Sequence, residues 1–251
     1  MNRFLWIATI LGLLFFSFPA MDGGPRGVNV LEQVLRLTGE FFPPDLSILP
    51  EAGKALLETI RIATLATFFS LFVSIGFAVA ASRATGNLWT RPVFSLLLSA
   101  VRTIPSLVWA VVAVSLIGPS PRAGVLALTF YSIGYLGKFF ADILDQADQR
   151  PANWLRSQGA HPWFVFRYAL WPDLRGALGT QSLWMWEYNI RSASIIGYVG
   201  AGGLGLQLHV YQEFAQWDRF CTVMLMIFVL VVGLDALSSY LKRQTSSVRA
   251  R

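Results

Sequence analysis

The stretch ANWLRSQGAHPWFVFRYALWP, residues 152–172, decides how the rest of the chain is read. It is too polar to lie inside a bilayer, yet its apolar residues recur as they do in folded helices. Trp154, Leu155, Trp163, Phe164, Phe166 and Tyr168 are interleaved with Asn153, Arg156, Gln158 and Arg167. This pattern predicts two short amphipathic helices broken at Gly159 and Pro162, because glycine weakens a helix interior and proline opens a new helix. Apolar runs of membrane-spanning length lie on either side. The stretch therefore reads as a folded connection that docks a soluble partner; an amphipathic loop lying on the bilayer surface is the alternative.

Working outward, composition sets the class. Of the 251 residues, 55% are hydrophobic and 14% charged, and the mean hydropathy is +0.54; soluble domains carry about 25% charged residues. The fold class expected is an all-α polytopic membrane protein with about six transmembrane helices. The net charge of +6 and pI near 9.8 do not imply nucleic acid, because the basic residues cluster between apolar runs, the pattern that orients membrane proteins. A single cysteine, Cys221, excludes an internal disulfide and a cysteine-based zinc site. His161 and His209 lack partners at ligand spacing, so no metal site is expected.

The first apolar run, residues 4–18, is short for a span and reads as an uncleaved helix or a signal peptide, with Pro19-Ala20-Met21 a poor cleavage site. With the loop that follows, which holds one surface helix near 28–37, it makes an N-terminal segment, 1–55. Further spans are expected near 56–81, 92–117, 123–144, 174–199 and 220–241. They make 56–241 the core, with its docking loop at 150–172 and a basic tail at 242–251. With six spans, one side holds Arg3, Arg83, Arg91, Arg150, Arg156, Arg167, Arg175, Lys242, Arg243, Arg249 and Arg251; the other holds Arg26, Arg36, Lys54 and Arg122. Eleven against four puts both termini and residues 152–172 in the cytoplasm.

Charges inside the spans each cost at least ~2.5 kcal/mol on insertion scales, so they must face protein or a wet cavity. Glu58 and Arg61 stand at i,i+3; Lys138 and Asp142, like Glu187 and Arg191, stand at i,i+4. Each pair can neutralise itself. Alternatively Arg102, Lys138, Glu187 and Arg191 line a path, Arg191 offering its rigid donor fork to a phosphate-like anion. Arg102 precedes Pro105, whose missing amide frees a carbonyl that Arg102 could bind and can kink the third span. Gly200-Ala201-Gly202-Gly203-Leu204-Gly205 satisfies G-x-G-x-x-G, but it follows a membrane helix and not a strand, so a dinucleotide site is not supported. It reads as an irregular outer hairpin that gates a mouth, and a β-branched residue at Gly202 is expected to abolish uptake while leaving assembly intact. There is no Walker motif and no catalytic constellation.

WEYNIRSASIIGYVGAGGLG (186–205), with RTIPSLVWA (102–110) and GYLGKFFAD (134–142), resembles the phosphonate ABC transporter permeases over about 56–241. Residues 152–172 resemble the loop by which ABC importer permeases dock on their ATPase, E-A-A, three residues, G, nine residues, I, one residue, L-P. Gly159 and Pro172 fall in place. Asn153 stands where the family has Glu, Trp154 and Leu155 replace the two Ala, and Ala169 and Trp171 replace Ile and Leu. The resemblance implies a type I importer permease in the bacterial inner membrane, working as a homodimer with a pair of ATPase subunits and a periplasmic binding protein. It also implies ATPase contacts at Asn153, Gly159, Ala160 and Pro172, and a gate at Gly200, Gly202, Gly203 and Gly205. This chain would bind no cofactor and be no enzyme, ATP being used by the partner. Phosphonate, phosphite or a related phosphorus oxyanion is the implied cargo. The glycine turn and docking loop are shared with betaine and methionine permeases, which stay open, as does an ion-driven secondary transporter with Glu187, Lys138 and Asp142 as a proton relay.

Overall fold

The computed structural model describes residues 2–17 and 30–247. The Pro19-Ala20-Met21 site, the start of the loop after it and the last four residues of the tail lie outside the described residues. Two units are compact in themselves, Met1–Phe42 and Pro43–Arg251. The first holds α1 (Asn2–Ser17) and α2 (Val30–Phe41). With 16 residues, α1 rises about 24 Å, short of the roughly 30 Å hydrocarbon thickness. The surface helix expected near 28–37 is α2, which carries an Arg36–Glu40 pair on its exposed side.

The second unit is built of α3 (Leu49–Ala81), α4 (Thr90–Thr103), α5 (Ser106–Ile117), α6 (Pro121–Gln146), α7 (Arg150–Ser157), α8 (Pro162–Phe164), α9 (Trp171–Ile196), α10 (Gly203–Glu213) and α11 (Trp217–Ser247). No strand occurs among the described residues. Four stretches are long and apolar enough to cross a membrane: Leu46–Ala81, Pro121–Gln146, Leu174–Glu213 and Trp217–Tyr240. The third expected span, 92–117, is not one helix. It is α4 and α5 meeting at 89°, a bent pair with the form of a broken fifth crossing or of a re-entrant loop. At the break Ile104 is extended and Pro105 precedes the first turn of α5, as a residue before proline is disposed to be.

Small residues decide which helices touch. Along α3, Ala55, Thr59, Ala63, Ala66, Ser70, Ser74 and Ala78 recur at three- and four-residue intervals and are all buried. Against them α6 sets Ala123, Gly124, Ala127 and Ser132. Lipid offers no hydrophobic drive for helix association, so close backbone approach and hydrogen bonds must supply the attraction. Ser74 Oγ donates across the α3–α6 contact to the Ile133 carbonyl at 3.4 Å. Asn189 of α9, fully buried, donates from Nδ2 to Thr67 Oγ1 of α3 and to Ser132 Oγ of α6, both at 2.9 Å. One amide thus joins three helices. The bulky apolar residues of α3, Phe68, Phe69, Phe72 and Ile75, are exposed on the opposite side, where lipid chains would meet them.

At the head of this unit a clasp joins the start of α3 to α11. Asp45 accepts from the Ser47 amide at 2.9 Å and from Arg219 Nε at 3.2 Å. Ser47, through side chain and amide, and then Arg219 hold the Asp45 carboxyl below its ordinary 3.8. A carboxyl depressed on folding stabilises the fold above its unfolded value and loses that contribution as pH falls through the folded one. The clasp is therefore intact near neutrality and released only in acid.

Candidate functional site

The chain break between α4 and α5 places Arg102. Gly134 on α6 allows the end of α4 to lie directly on it, since a Cβ there would come 2.9 Å from the Arg102 amide nitrogen and 3.1 Å from the Leu98 carbonyl oxygen. Arg102 does not take up a carbonyl freed by Pro105. The indole Nε1 of Trp109, one turn into α5, donates to the Val101 carbonyl at 3.3 Å, and Thr103 Oγ1 donates to that of Ala100 at 2.7 Å. The arginine is left exposed where α4 meets α6 at Gly134, on the stretch of α6 that carries the phenols of Tyr131 and Tyr135. Among the described residues no carboxylate lies within 4 Å of it.

Those phenols belong to an aromatic ladder shared with α9. Tyr131 stacks on Tyr188 at 5.3 Å between ring centres, Tyr135 on Trp184 at 5.1 Å, and Trp184 on Tyr188 at 5.6 Å; Phe139 extends the ladder, 4.6 Å from Tyr135. On α9 and the short turn that follows it, one stripe runs through Gln181, Trp184, Tyr188, Arg191, Ile195 and Tyr198 at alternating intervals of three and four. All six are half-buried or exposed while Met185, Asn189, Ile190 and Ala193 behind them are buried. A face with this many polar groups in a membrane must meet water or protein.

Arg191 is paired with Glu187 as its spacing implies, and Asp235 of α11 approaches it to 4.0 Å. Glu187 is buried; Arg191 and Asp235 are partly exposed beside an apolar cavity of about 570 Å³ between α9, α10 and α11. Lys138 lies elsewhere. It pairs with Asp142 at 3.8 Å, donates to Ser95 Oγ at 3.1 Å, and lines a polar cavity of about 340 Å³ with Arg83, Arg91 and Asp145. The four expected path residues thus fall into three places.

Asp145 closes the end of α3 beside that cavity. It accepts from Ser82 Oγ and the Arg83 amide, both at 2.6 Å, and from the Ala84 amide at 3.2 Å. Replacing Asp145 with alanine orphans all three donors and is expected to cost about 1–2 kcal/mol. Limited proteolysis should then cut within residues 82–89 faster than in the unaltered protein.

The glycine turn sits at the far end of α9. Gly200, Gly202 and Gly203 have φ of 95°, 85° and 69°, so the irregular hairpin expected from the sequence is present, with α10 emerging from it. The turn is buried: Ala201, Gly202, Gly203, Leu204 and Gly205 are covered, and the Leu204 amide donates to Thr59 Oγ1 of α3 at 2.9 Å. Glu58 and Arg61 form no ion pair. A Cβ on Gly202 would stand 2.8 Å from Glu58 Oε1, so Glu58 is turned toward the hairpin.

At the other end, residues 150–172 break and restart where their pattern implies, but the second piece is not a separate short helix, because it runs on into α9. α7 ends at Ser157, Gly159 follows with φ of 76°, and a new helix begins at Pro162, where His161 Nδ1 accepts from the Trp163 amide at 3.3 Å. Val165–Leu170 is a π-helical turn that runs into α9 with Pro172 in its first turn. Ala152, Val165 and Leu170 are buried in one core with Leu136, Phe140 and Leu144 of α6, while Trp154, Trp163, Phe164 and Tyr168 stand exposed. This shared core ties the segment to α6 and, through the π-helical turn, to α9. Asn153 lies on its surface, accepting from Arg156 Nη1 at 3.1 Å, and Ala160 is half-buried.

The tyrosine and tryptophan ladder and the Asn189 junction escaped the sequence reading; the three- and four-residue stripe on α9 was the signal available for the first. His209 pairs with Glu213 at 3.9 Å, and no cluster of metal-binding side chains is found among the described residues.

Known proteins are similar to this chain in sequence and in fold. The chain is 35% identical over 204 residues to HtxC of Stutzerimonas stutzeri, provisionally named a phosphite transport system permease, covering 81% of this chain and 72% of that one. It is 31% identical over 217 residues to the phosphite transport system permease PtxC of the same organism, covering 86% and 79%. A chain of the MetNI methionine ABC transporter, solved in inward-facing form, superposes with a TM-score of 0.69 at 19% identity, over 80% of this chain and 99% of that one. Residues 54–247 match the model of the binding-protein-dependent transport system inner membrane components, and the chain belongs to that family.

Proposed function

We propose that this permease carries phosphite, a phosphonate or a related phosphorus oxyanion inward, driven by ATP hydrolysed on a separate subunit. The observation that carries the reading is the exposed, unpaired Arg102 beside a polar stripe in the membrane-spanning core; the names of the sequence relatives agree with an oxyanion. A second copy covers the stripe, so the path runs between two chains with Arg102 and Arg191 on each side of the two-fold axis. Glu187 and Asp235 offset the charge of Arg191, and Lys138 lies beside the inner exit. The glycine turn at Gly200, Gly202, Gly203 and Gly205 closes the outer mouth, beneath a periplasmic binding protein that selects the cargo. The ATPase grips the surface around Asn153, Gly159, Ala160 and Pro172. With α1 crossing a locally thinned bilayer and α4–α5 counted as one crossing, both termini are cytoplasmic; the membrane is the bacterial inner membrane, and this chain binds no cofactor.

The test is uptake of phosphite by proteoliposomes holding the complete transporter, with methionine and betaine as alternatives. ATP-dependent phosphite uptake that survives an uncoupler is expected; uptake without the ATPase, abolished by an uncoupler, would favour the ion-driven reading. Trp163 is 61% exposed, so Trp163→Glu should leave the fold intact while lowering ATPase co-purification and uptake at least tenfold. Unchanged co-purification would remove the docking assignment.

A further inference from the structure

We propose that Arg102, Tyr131, Tyr135 and Tyr188 hold the oxygens of the transported anion in the middle of the crossing, and that Trp184 and Phe139 receive its non-oxygen substituent. This rests on the phosphorus-oxyanion reading and deepens it.

Arg61 stands toward the glycine-turn end of α3, away from the middle of the crossing, and two other membrane cations are already engaged. Lys138 is held by Asp142 and Ser95, and Arg191 by Glu187 with Asp235 beyond. Arg102 alone of the three keeps its full charge and donor fork for a ligand. Tyr131 and Tyr135 are the eleventh and fifteenth residues of the 26 in α6, which places their phenols near the middle of that helix. Tyr131, Tyr135 and Tyr188 are stacked in one half-buried ladder, so three neutral hydroxyls belong to the same α6–α9 face. The Arg102 backbone meets α6 at Gly134, between Tyr131 and Tyr135 in sequence, which sets the guanidinium beside that ladder.

That donor set suits transit. A cargo that must leave cannot be held by several buried cations, and pore sites have to be favourable enough to enter yet weak enough to release. Hydroxyls contribute without adding charge, and the guanidinium matches two oxygens of a phosphorus oxyanion at once. Phosphite and phosphonates differ from phosphate in carrying hydrogen or carbon on phosphorus, which cannot accept a hydrogen bond. The stacked faces of Trp184, Tyr135 and Phe139, with ring centres 4.6–5.1 Å apart, offer that substituent an apolar wall. One end of the ligand meets donors and the other meets rings.

The experiment measures ATP-dependent uptake of phosphite and of phenylphosphonate by the complete reconstituted transporter. Removing the three hydroxyls together, Tyr131→Phe, Tyr135→Phe and Tyr188→Phe, preserves the stacking and is expected to lower uptake of both at least tenfold, since a hydrogen bond to a charged group is lost. Trp184→Leu is expected to lower phenylphosphonate uptake at least fivefold relative to phosphite, a change of ratio that general damage to the fold would not produce. Uptake within twofold of the unaltered transporter in the triple variant, or an unchanged ratio in Trp184→Leu, overturns the assignment. Should the triple variant fail to fold, Arg102→Gln carries the same expectation, and uptake within twofold there also overturns it. An unaltered transporter that moves neither compound sinks the phosphorus-oxyanion reading itself, which separates the two failures.

Discussion

Replacing Gly205 with valine is expected to abolish recovery of the folded protein. Gly205 opens α10 directly over the end of α9. A Cβ at this position would stand 2.8 Å from the Gly197 Cα and 2.9 Å from the Tyr198 nitrogen, and would fall inside the van der Waals shell of the Ser194 carbonyl oxygen. All three are backbone atoms, so no rotamer change relieves the collision. The α10 helix would have to lift from α9, and the Leu204 amide would leave Thr59. Overpacking a fitted core costs about 1–3 kcal/mol, and here a buried amide would lose its acceptor as well. Gly233→Ala is the control, because nothing lies within 4 Å of its added Cβ and alanine favours a helix by about 1 kcal/mol. Size-exclusion profiles and thermal unfolding in detergent check both; a Gly205→Val protein that elutes and melts like the unaltered one refutes the expectation. The comparison also isolates the gate. At Gly202 an added side chain meets the flexible end of Glu58 and a strained φ of 85°, a cost of about 1–3 kcal/mol. Gly202→Val protein that folds but does not transport would give the turn a role beyond packing.

What could be read from the chain before folding was whatever is local. Spacing alone placed Lys138 with Asp142 and Glu187 with Arg191, because residues four apart on a helix are neighbours whatever surrounds them. The break at Gly159 and restart at Pro162 were legible for the same reason. Glu58 and Arg61 had suitable spacing too, yet the glycine turn, some 140 residues onward, drew Glu58 away. The 89° bend at Pro105 was beyond reach, since a proline announces a freed carbonyl but not the angle that results. Asn189 binds Thr67 and Ser132 across separations of 122 and 57 residues, and an asparagine in an apolar run carries no mark of its partners. The donor cluster at Arg102 is of that second kind. Its members come from three helices, and only the packing allowed by Gly134 brings the arginine to the tyrosines.

Truncating Glu187 to alanine is expected to destabilise the membrane core by about 1–3 kcal/mol. Breaking a fully buried ion pair from one side costs about 3–5 kcal/mol, because the remaining charge is left without compensation. Two features lower that figure here. Arg191 is 43% exposed along its side chain, and Asp235 stands 4.0 Å away, ready to approach. The residual cost comes from the guanidinium losing its nearest acceptor in a setting where solvent cannot fully replace it. If the loss is one of compensation, removing the second charge should recover it: Glu187→Ala with Arg191→Met is expected to be more stable than Glu187→Ala alone. Asp235→Asn added to Glu187→Ala should be worse than either change, since Arg191 would then have no carboxylate within reach. Thermal unfolding in detergent of the unaltered protein, Glu187→Ala, Arg191→Met and their double variant forms the cycle, and Asp235→Asn with and without Glu187→Ala tests the second carboxylate. A double variant no more stable than Glu187→Ala would mean that Glu187 acts through packing and its other contacts, and that Arg191 tolerates isolation because water already reaches it, as a residue lining an aqueous path would.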